Sequence, residues 1–220
     1  MITEAEQIKQ NVINHICWDG RVDASDIKIE ITDNRVRLFG TVPTYSARKA
    51  ALEDTLLVAG VNSVQNDLIV SYPSGKQVPD DNEIQIKIEN MFIWNPDLDS
   101  SDIKVIVDRG VVTLKGSVGS FWKKMKAEEL ASEVTGVISV ENMLAVVPSH
   151  SAIDEEIAEE IVLALNRMVH VNADRINVEV VEGKVTLSGY VPDLSGYYAA
   201  YDAARYTPDV VDVVNKLKVE

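Results

Sequence analysis

The phrase "GVNSVQNDLIV" at 60–70 returns as "GVISVENMLAV" at 136–146 and as "DVVDVVNKLKV" at 209–219. A recurrence in fixed register constrains the fold more than composition does, because each copy must be one structural unit and one core design must be built three times. Walking back from the phrase, Gly40, Gly116 and Gly189 coincide, as do Asp26, Asp102 and Arg175, and Ile8, Ile84 and Ile157. The offsets between copies are 76 and 73 residues and hold throughout each unit. The three-residue difference therefore falls between units. The linkers "SYPSGKQVPDD" and "VPSHSA" carry the Pro, Gly and Ser of a boundary. The expected domains are 1–74, 79–149 and 150–220.

Each unit opens with a helix. Ile8, Val12 and Ile16 correspond to Ile84, Ile88 and Phe92, then to Ile157, Ile161 and Leu165. This i, i+4, i+8 spacing draws one apolar stripe. Thr3 with Glu6, and Ser151 with Asp154, have the spacing of capping boxes. A hairpin follows, with period-two alternation at Ile27, Ile29 and Ile31, then Val36 and Leu38. Asn34, Gly110 and Gly183 share the turn position, where a left-handed backbone is required. A second helix is predicted over roughly 45–59, with Ala51, Ala127 and Ala200 in register for close packing on a sheet. The recurring phrase closes the unit as a third strand. The fold class is α+β: three tandem α-β-β-α-β units, each a small three-stranded mixed sheet with two helices packed on one face. A unit of about 70 residues is marginal as a lone domain, so neighbouring units are expected to pack together.

This order resembles the BON domain, named for bacterial osmotically inducible and nodulation proteins. The resemblance rests on the glycine after strand two (Gly40, Gly116, Gly189), the "GV..V.N.L.V" close and the alanine-bearing helix between them, and it covers nearly the whole chain three times. It implies a non-enzymatic, stress- or envelope-linked module, often exported and proposed to bind phospholipid surfaces. It brings no catalytic residues and no cofactor. The third unit departs from the pattern, with Asp209 where the others have Gly60 and Gly136.

The net charge is −14. Phosphate binding rests on clustered Lys and Arg, so nucleic acid is disfavoured as a partner. The charge is graded, with net −3 over 1–74, −5 over 79–149 and −7 over 150–220. Unit three is thus the least suited to an anionic surface. The single cysteine, Cys17, admits no internal disulfide. The opening "MITEAEQIKQ" lacks the basic-then-apolar pattern of a signal peptide. No stretch is long enough for a transmembrane helix. As written, the chain is expected in the cytoplasm, or in the periplasm if a leader has been removed.

Residues able to carry chemistry are few and scattered. His15, His150 and His170 occupy three unrelated repeat positions, so no metal or acid–base site forms from one unit's design. His15 shares a slot with Met91 and Ala164 and is expected to face the core. Cys17 shares a slot with Ile93 and is expected to be small, apolar and buried. The stretch 97–108 begins like a calcium loop with Asp97 and Asp99 and ends on Asp108, but Asp102 stands where the loop needs Gly. It is read as a solvated acidic turn. No catalytic residue and no metal site is assigned. Asn66, Asn142 and Asn215, each between apolar neighbours on a strand, are expected to satisfy backbone groups of an adjoining loop or strand end.

Two surface features stand above this background. "SFWKKMK" at 120–126 places Trp122 beside Lys123, Lys124 and Lys126 at the start of a helix. Phe121 is expected in the core and Trp122 outside it. An indole among ammonium groups at a helix N-terminus suits lipid headgroups or another anion. In unit three, Tyr197 and Tyr198 replace Arg48/Lys124 and Lys49/Met125, and Tyr201 lies one turn on, with Tyr190 and Tyr206 near in sequence. Tyrosines where the sister units carry charge suggest a contact with a neighbouring unit, a second chain or a lipid interface. Two functional readings follow. One is a stress- or envelope-related binding protein touching phospholipid headgroups through the Trp122 patch. The other is a cytoplasmic scaffold or small-ligand or ion-binding stress protein whose tyrosine face meets a protein partner.

Overall fold

The computed structural model describes residues 4–58, 60–72, 78–148, 153–168 and 171–219, with the side chains of Glu4 and Leu194 excepted. The first repeat runs α1 (Glu4–Trp18), β1 (Ile27–Thr32), β2 (Arg35–Val42), α2 (Tyr45–Leu56) and β3 (Ser63–Val70). The second runs α3 (Asp81–Trp94), β4 (Ile103–Asp108), β5 (Val111–Val118), α4 (Phe121–Glu133) and β6 (Ser139–Val146). The third runs α5 (Asp154–Asn166), a 3-10 turn (Ala173–Arg175), β7 (Ile176–Val181), β8 (Lys184–Val191), α6 (Leu194–Tyr206) and β9 (Asp212–Val219). The strand orders are β1-β2-β3, β4-β5-β6 and β7-β8-β9.

In the first repeat β2 pairs antiparallel with β1, Ile29 opposite Leu38, and parallel with β3, Leu38 opposite Asn66. The third repeat repeats this pairing, with Val178 and Asn215 flanking Leu187. A parallel neighbour needs a crossover, and α2 and α6 supply it. Alternation then decides which face is covered. Val36 and Leu38 are buried beneath the helices, and Arg35 and Arg37 point to solvent.

Three local devices fix the units. Consecutive residues with positive φ turn each hairpin: Asp33 and Asn34 (49° and 60°), Arg109 and Gly110 (49° and 76°), Glu182 and Gly183 (52° and 72°). That is the backbone a two-residue I′ turn demands. The Asp81 carboxylate accepts from the Arg109 and Gly110 amides at 2.7 and 2.9 Å, and Asp154 accepts from Glu182 and Gly183 at 2.8 and 2.9 Å. The start of α3 and of α5 is thereby tied to its hairpin, while the first repeat has Ala5 in that slot. The third device is the glycine after strand two. Gly40, Gly116 and Gly189 have φ of 118°, 117° and 118°, and a Cβ there would run into the carbonyl oxygens of Asp26, Asp102 and Arg175.

Contacts gather the chain into two compact units, 1–91 with 105–113 and 129–141, and 92–104 with 114–128 and 142–220. In the first, Ile8, Val12 and Ile16 pack with Val36, Leu38, Ala47, Ala51 and Leu68. Tyr72, just past β3, reaches the second repeat: its hydroxyl accepts from the Gly136 amide at 2.8 Å and donates to the Val137 carbonyl at 3.4 Å. In the second, Ile157, Ile161 and Leu165 pack with Val185, Leu187, Ala200 and Leu217, and Phe121 of the second repeat joins that cluster. The Phe121 amide also donates to the Val210 carbonyl at 3.3 Å. The expected packing between neighbouring units is therefore present in each compact unit.

Several expectations are corrected. α2 ends at Leu56, short of 59. His15 is exposed, because its slot lies at the edge of the apolar stripe, where Met91 and Ala164 are also only half-buried. Cys17 is exposed, and Ile93 and Asn166 in the same register are exposed with it. The slot follows the stripe residue Ile16 by one position, about 100° around the helix and off its buried face. Thr3, Ser151, His150 and His170 lie outside the described residues. The start of α5 has Ile153 as its N-cap, with no side-chain cap.

Candidate functional site

The recurring asparagine ties the second helix of a repeat to its last strand. Asn66 Nδ2 donates to the Arg48 carbonyl at 3.0 Å, and its Oδ1 accepts from the Leu68 amide at 3.2 Å. Asn142 does the same with Lys124 at 2.8 Å and Leu144 at 3.3 Å. The partner carbonyl lies within a helix rather than on a loop or strand end, which corrects the sequence expectation. β3 and β6 are edge strands, so the asparagine also occupies an otherwise open edge amide. Asn215 keeps the bond to the Leu217 amide at 3.1 Å, but its buried Nδ2 has no partner among the described residues. All three asparagines thus bond an amide two residues on in their own strand, and the first two also brace the strand against its helix.

The basic aromatic patch opens α4. Trp122 is half-buried rather than outside the fold, and Lys123, Lys124 and Lys126 are half-buried with it. Lys123 Nζ stands 5.9 Å from the centroid of the Trp122 ring, within cation–π range. Lys123 also faces Asp99. That carboxyl is held below its ordinary range chiefly by the Ser101 amide and hydroxyl, with Lys123 adding to the effect. Asp99 closes a tight turn by accepting from Ser101 at 3.1 Å. Among the described residues no group of three or more His, Cys, Asp or Glu side chains is placed to hold a metal.

The tyrosine set divides. Tyr197 and Tyr201 pack against the third repeat's core cluster, and burial pushes both hydroxyls up in pKa. Tyr198 meets Tyr197 edge-to-face, centroids 5.4 Å apart at 78°. Tyr190 and Tyr206 are the exposed members. Arg205 stacks over Tyr206 at 4.7 Å and Tyr201 at 5.7 Å, and Arg175 over Tyr190 at 6.0 Å.

Two tryptophans escaped the sequence reading. Trp18 is 88% exposed and Trp94 is 83% exposed, with Ile93 beside it at 68%. Trp18 and Trp94 share a repeat slot, two residues past the apolar stripe and so on the opposite side of the helix. That register was a legible signal. Indoles so placed are the side chains that seat at an interface between water and an apolar phase.

A family profile described as the BON domain matches residues 4–72, 80–148 and 153–220. The chain belongs to the BON-domain family. Among similar proteins, osmotically-inducible protein Y of Escherichia coli (strain K12) is 31% identical over 147 residues, covering 64% of this chain and 73% of that protein. The outer membrane lipoprotein DolP of Haemophilus influenzae is 31% identical over 137 residues, covering 61% and 70%. Neither name describes an enzyme. A solved structure of CdsD, a structural protein of the type III secretion system of Chlamydia trachomatis, aligns over 97% of this chain and 92% of that one. At 13% identity and a TM-score of 0.28 it carries no argument about this BON protein. No helix among the described residues is long and apolar enough to cross a membrane.

Proposed function

We propose that this chain is a non-enzymatic tandem BON protein of stress or envelope upkeep that meets phospholipid headgroups from outside the bilayer. Three BON matches and the names of two relatives, one osmotically inducible and one an outer membrane lipoprotein, support the coarse role. The observation that carries the lipid reading is Trp122 with Lys123 across its ring, beside Lys124 and Lys126 in the first two turns of α4. Lysines at a helix N-terminus oppose the helix dipole, and an anion placed among them relieves that conflict. Exposed Trp94 and Ile93 supply an apolar contact of the kind that seats at a bilayer surface.

The test is co-flotation with vesicles of anionic or neutral lipid. Wild-type protein is expected to float with anionic vesicles, and the triple variant Trp122→Ala, Lys123→Ala, Lys124→Ala to remain behind. Undiminished flotation of the triple variant would remove the patch from this role. Trp94→Ala separately reads the apolar contribution.

A second reading, contact with a protein partner through unit three, draws on exposed Tyr190 and Tyr206 beside Tyr197, Tyr198 and Tyr201. A chain that elutes as a monomer and shows no cross-link through Tyr190 or Tyr206 in its native extract would count against it.

A further inference from the structure

A groove of about 720 Å³ opens in the first repeat between the C-terminal ends of α1 and α2, walled by His15, Trp18, Asp19, Asp54, Leu57 and Val58. Its size is ordinary for a small-ligand site. Its electrostatics are not those of a passive crease. The C-terminal end of a helix carries partial negative charge. Two such ends meet here, and each adds a carboxylate: Asp19 directly after α1 and Asp54 in the last turn of α2.

The two carboxylates are not equivalent. Asp19 is satisfied by Arg21, whose Nε lies 3.1 Å from Oδ1 and 2.9 Å from Oδ2, with Nη2 2.6 Å from Oδ2. Asp54 is only 8% exposed, and its buried Oδ2 has no hydrogen-bond partner among the described residues. Burial pushes its pKa up to about 6, and the charges of Asp19 and Glu53 add to this while Arg21 and His15 oppose it. Above neutrality the group is a buried, ionised carboxylate with Oδ2 left without a hydrogen bond among the described residues, an arrangement that costs stability.

The sister repeats act as internal controls. In register with Asp54 stand Leu130 and Ala203. The scaffold therefore accepts an apolar residue here, and the carboxylate is not a requirement of the fold.

We infer that this groove binds a small organic ammonium ion, with Asp54 as its counter-ion. The chemistry selects that class over a metal. A hard divalent cation wants six or more oxygens. Here one carboxylate is held by Arg21, and the Asn11 and Asn14 side-chain carbonyls accept from Gln7 and Gln10. An alkylammonium needs one carboxylate, an apolar wall and, at best, an aromatic face. Asp54, Leu57 with Val58, and Trp18 at the rim provide these in turn.

The test is an amide NMR titration of the full chain with tetramethylammonium chloride and with ethylammonium chloride, ionic strength being held by potassium chloride. The expected result at pH 7.5 is saturable shifts confined to residues 14–19 and 54–58. At pH 5 the affinity falls about tenfold, because Asp54 is then mostly protonated. Asp54→Leu, which installs the sister residue, abolishes the shifts. Asp54→Asn keeps the shape, removes the charge and carries the test if the leucine variant fails to fold. Shifts that never saturate, that persist in both variants, or that potassium chloride alone reproduces would overturn the site.

Discussion

At the residue scale, the costliest placements are the most informative. Asp54 is a carboxyl that the folded state prefers protonated, since its pKa rises from 3.8 to about 6. Its native pKa lies above the unfolded value, so its favourable contribution is fully present below about pH 4 and is lost as pH rises through about 6. Asp54→Asn is therefore expected to stabilise the chain at pH 7.5 by about 1–3 kcal/mol and to be near neutral at pH 4. Urea unfolding of both proteins at the two pH values measures it, and an equal effect at both would contradict the assignment. Gly116 makes the converse point. Its φ of 117° and the Asp102 carbonyl leave no room for a side chain. Gly116→Ala is expected to cost roughly 3 kcal/mol or more, read as a drop in the denaturation midpoint. The threefold recurrence of this glycine was legible in the sequence. Its cause, a carbonyl of the preceding loop pressed against it, required coordinates. Asp54 was legible too, as a charge in a slot that reads Leu and Ala elsewhere, but only in register with the sister repeats.

At the element scale, the asparagines form a graded series. Asn66 and Asn142 each bridge a helix carbonyl and an edge amide, whereas Asn215 bridges only the amide. Replacing Asn66 or Asn142 by Ala should cost about 1–2 kcal/mol, and replacing Asn215 less than about 1, since a buried unpartnered amide is removed with the lost bond. Three equal losses in chemical denaturation would argue that the bridge to the helix contributes nothing. Phe121 tests a different link. It begins a helix of the second repeat yet is buried among residues of the third. Phe121→Ala is expected to cost about 3–5 kcal/mol and to raise amide exchange around Leu187 and Leu217, outside its own repeat. The repeat slot that Phe121 shares with Tyr45 and Leu194 marks it for a core, and the structure shows which one. The strands, turns and helices were legible because alternation and stripe spacing are local properties. The exposure of Cys17 and His15 was missed because sharing a slot with an apolar residue does not fix burial at the edge of a stripe.

At the scale of the whole molecule, the net charge of −14 sets a condition on the lipid reading. An anionic vesicle repels most of this surface and attracts only a local patch. The two effects have different reach. At about 0.01 M salt the Debye length is about 30 Å, and repulsion from the body of the protein is felt at the membrane. At about 0.1 M it shrinks to about 10 Å, so only groups close to the lipid still act. Lys123, Lys124 and Lys126 would be those groups if α4 faces the bilayer. Near 1 M their attraction is screened as well, at about 3 Å. Flotation with anionic vesicles should therefore pass through a maximum near physiological salt instead of falling steadily from the lowest ionic strength. Neutral vesicles, if Trp94 and Ile93 alone contact them, should give a profile that does not peak. The Lys123→Ala, Lys124→Ala pair should flatten the anionic maximum and leave the neutral profile unchanged. A steady decline from low salt would mean that the acidic body never senses the membrane, and a profile without any dependence on salt would leave the lysines no part in the contact.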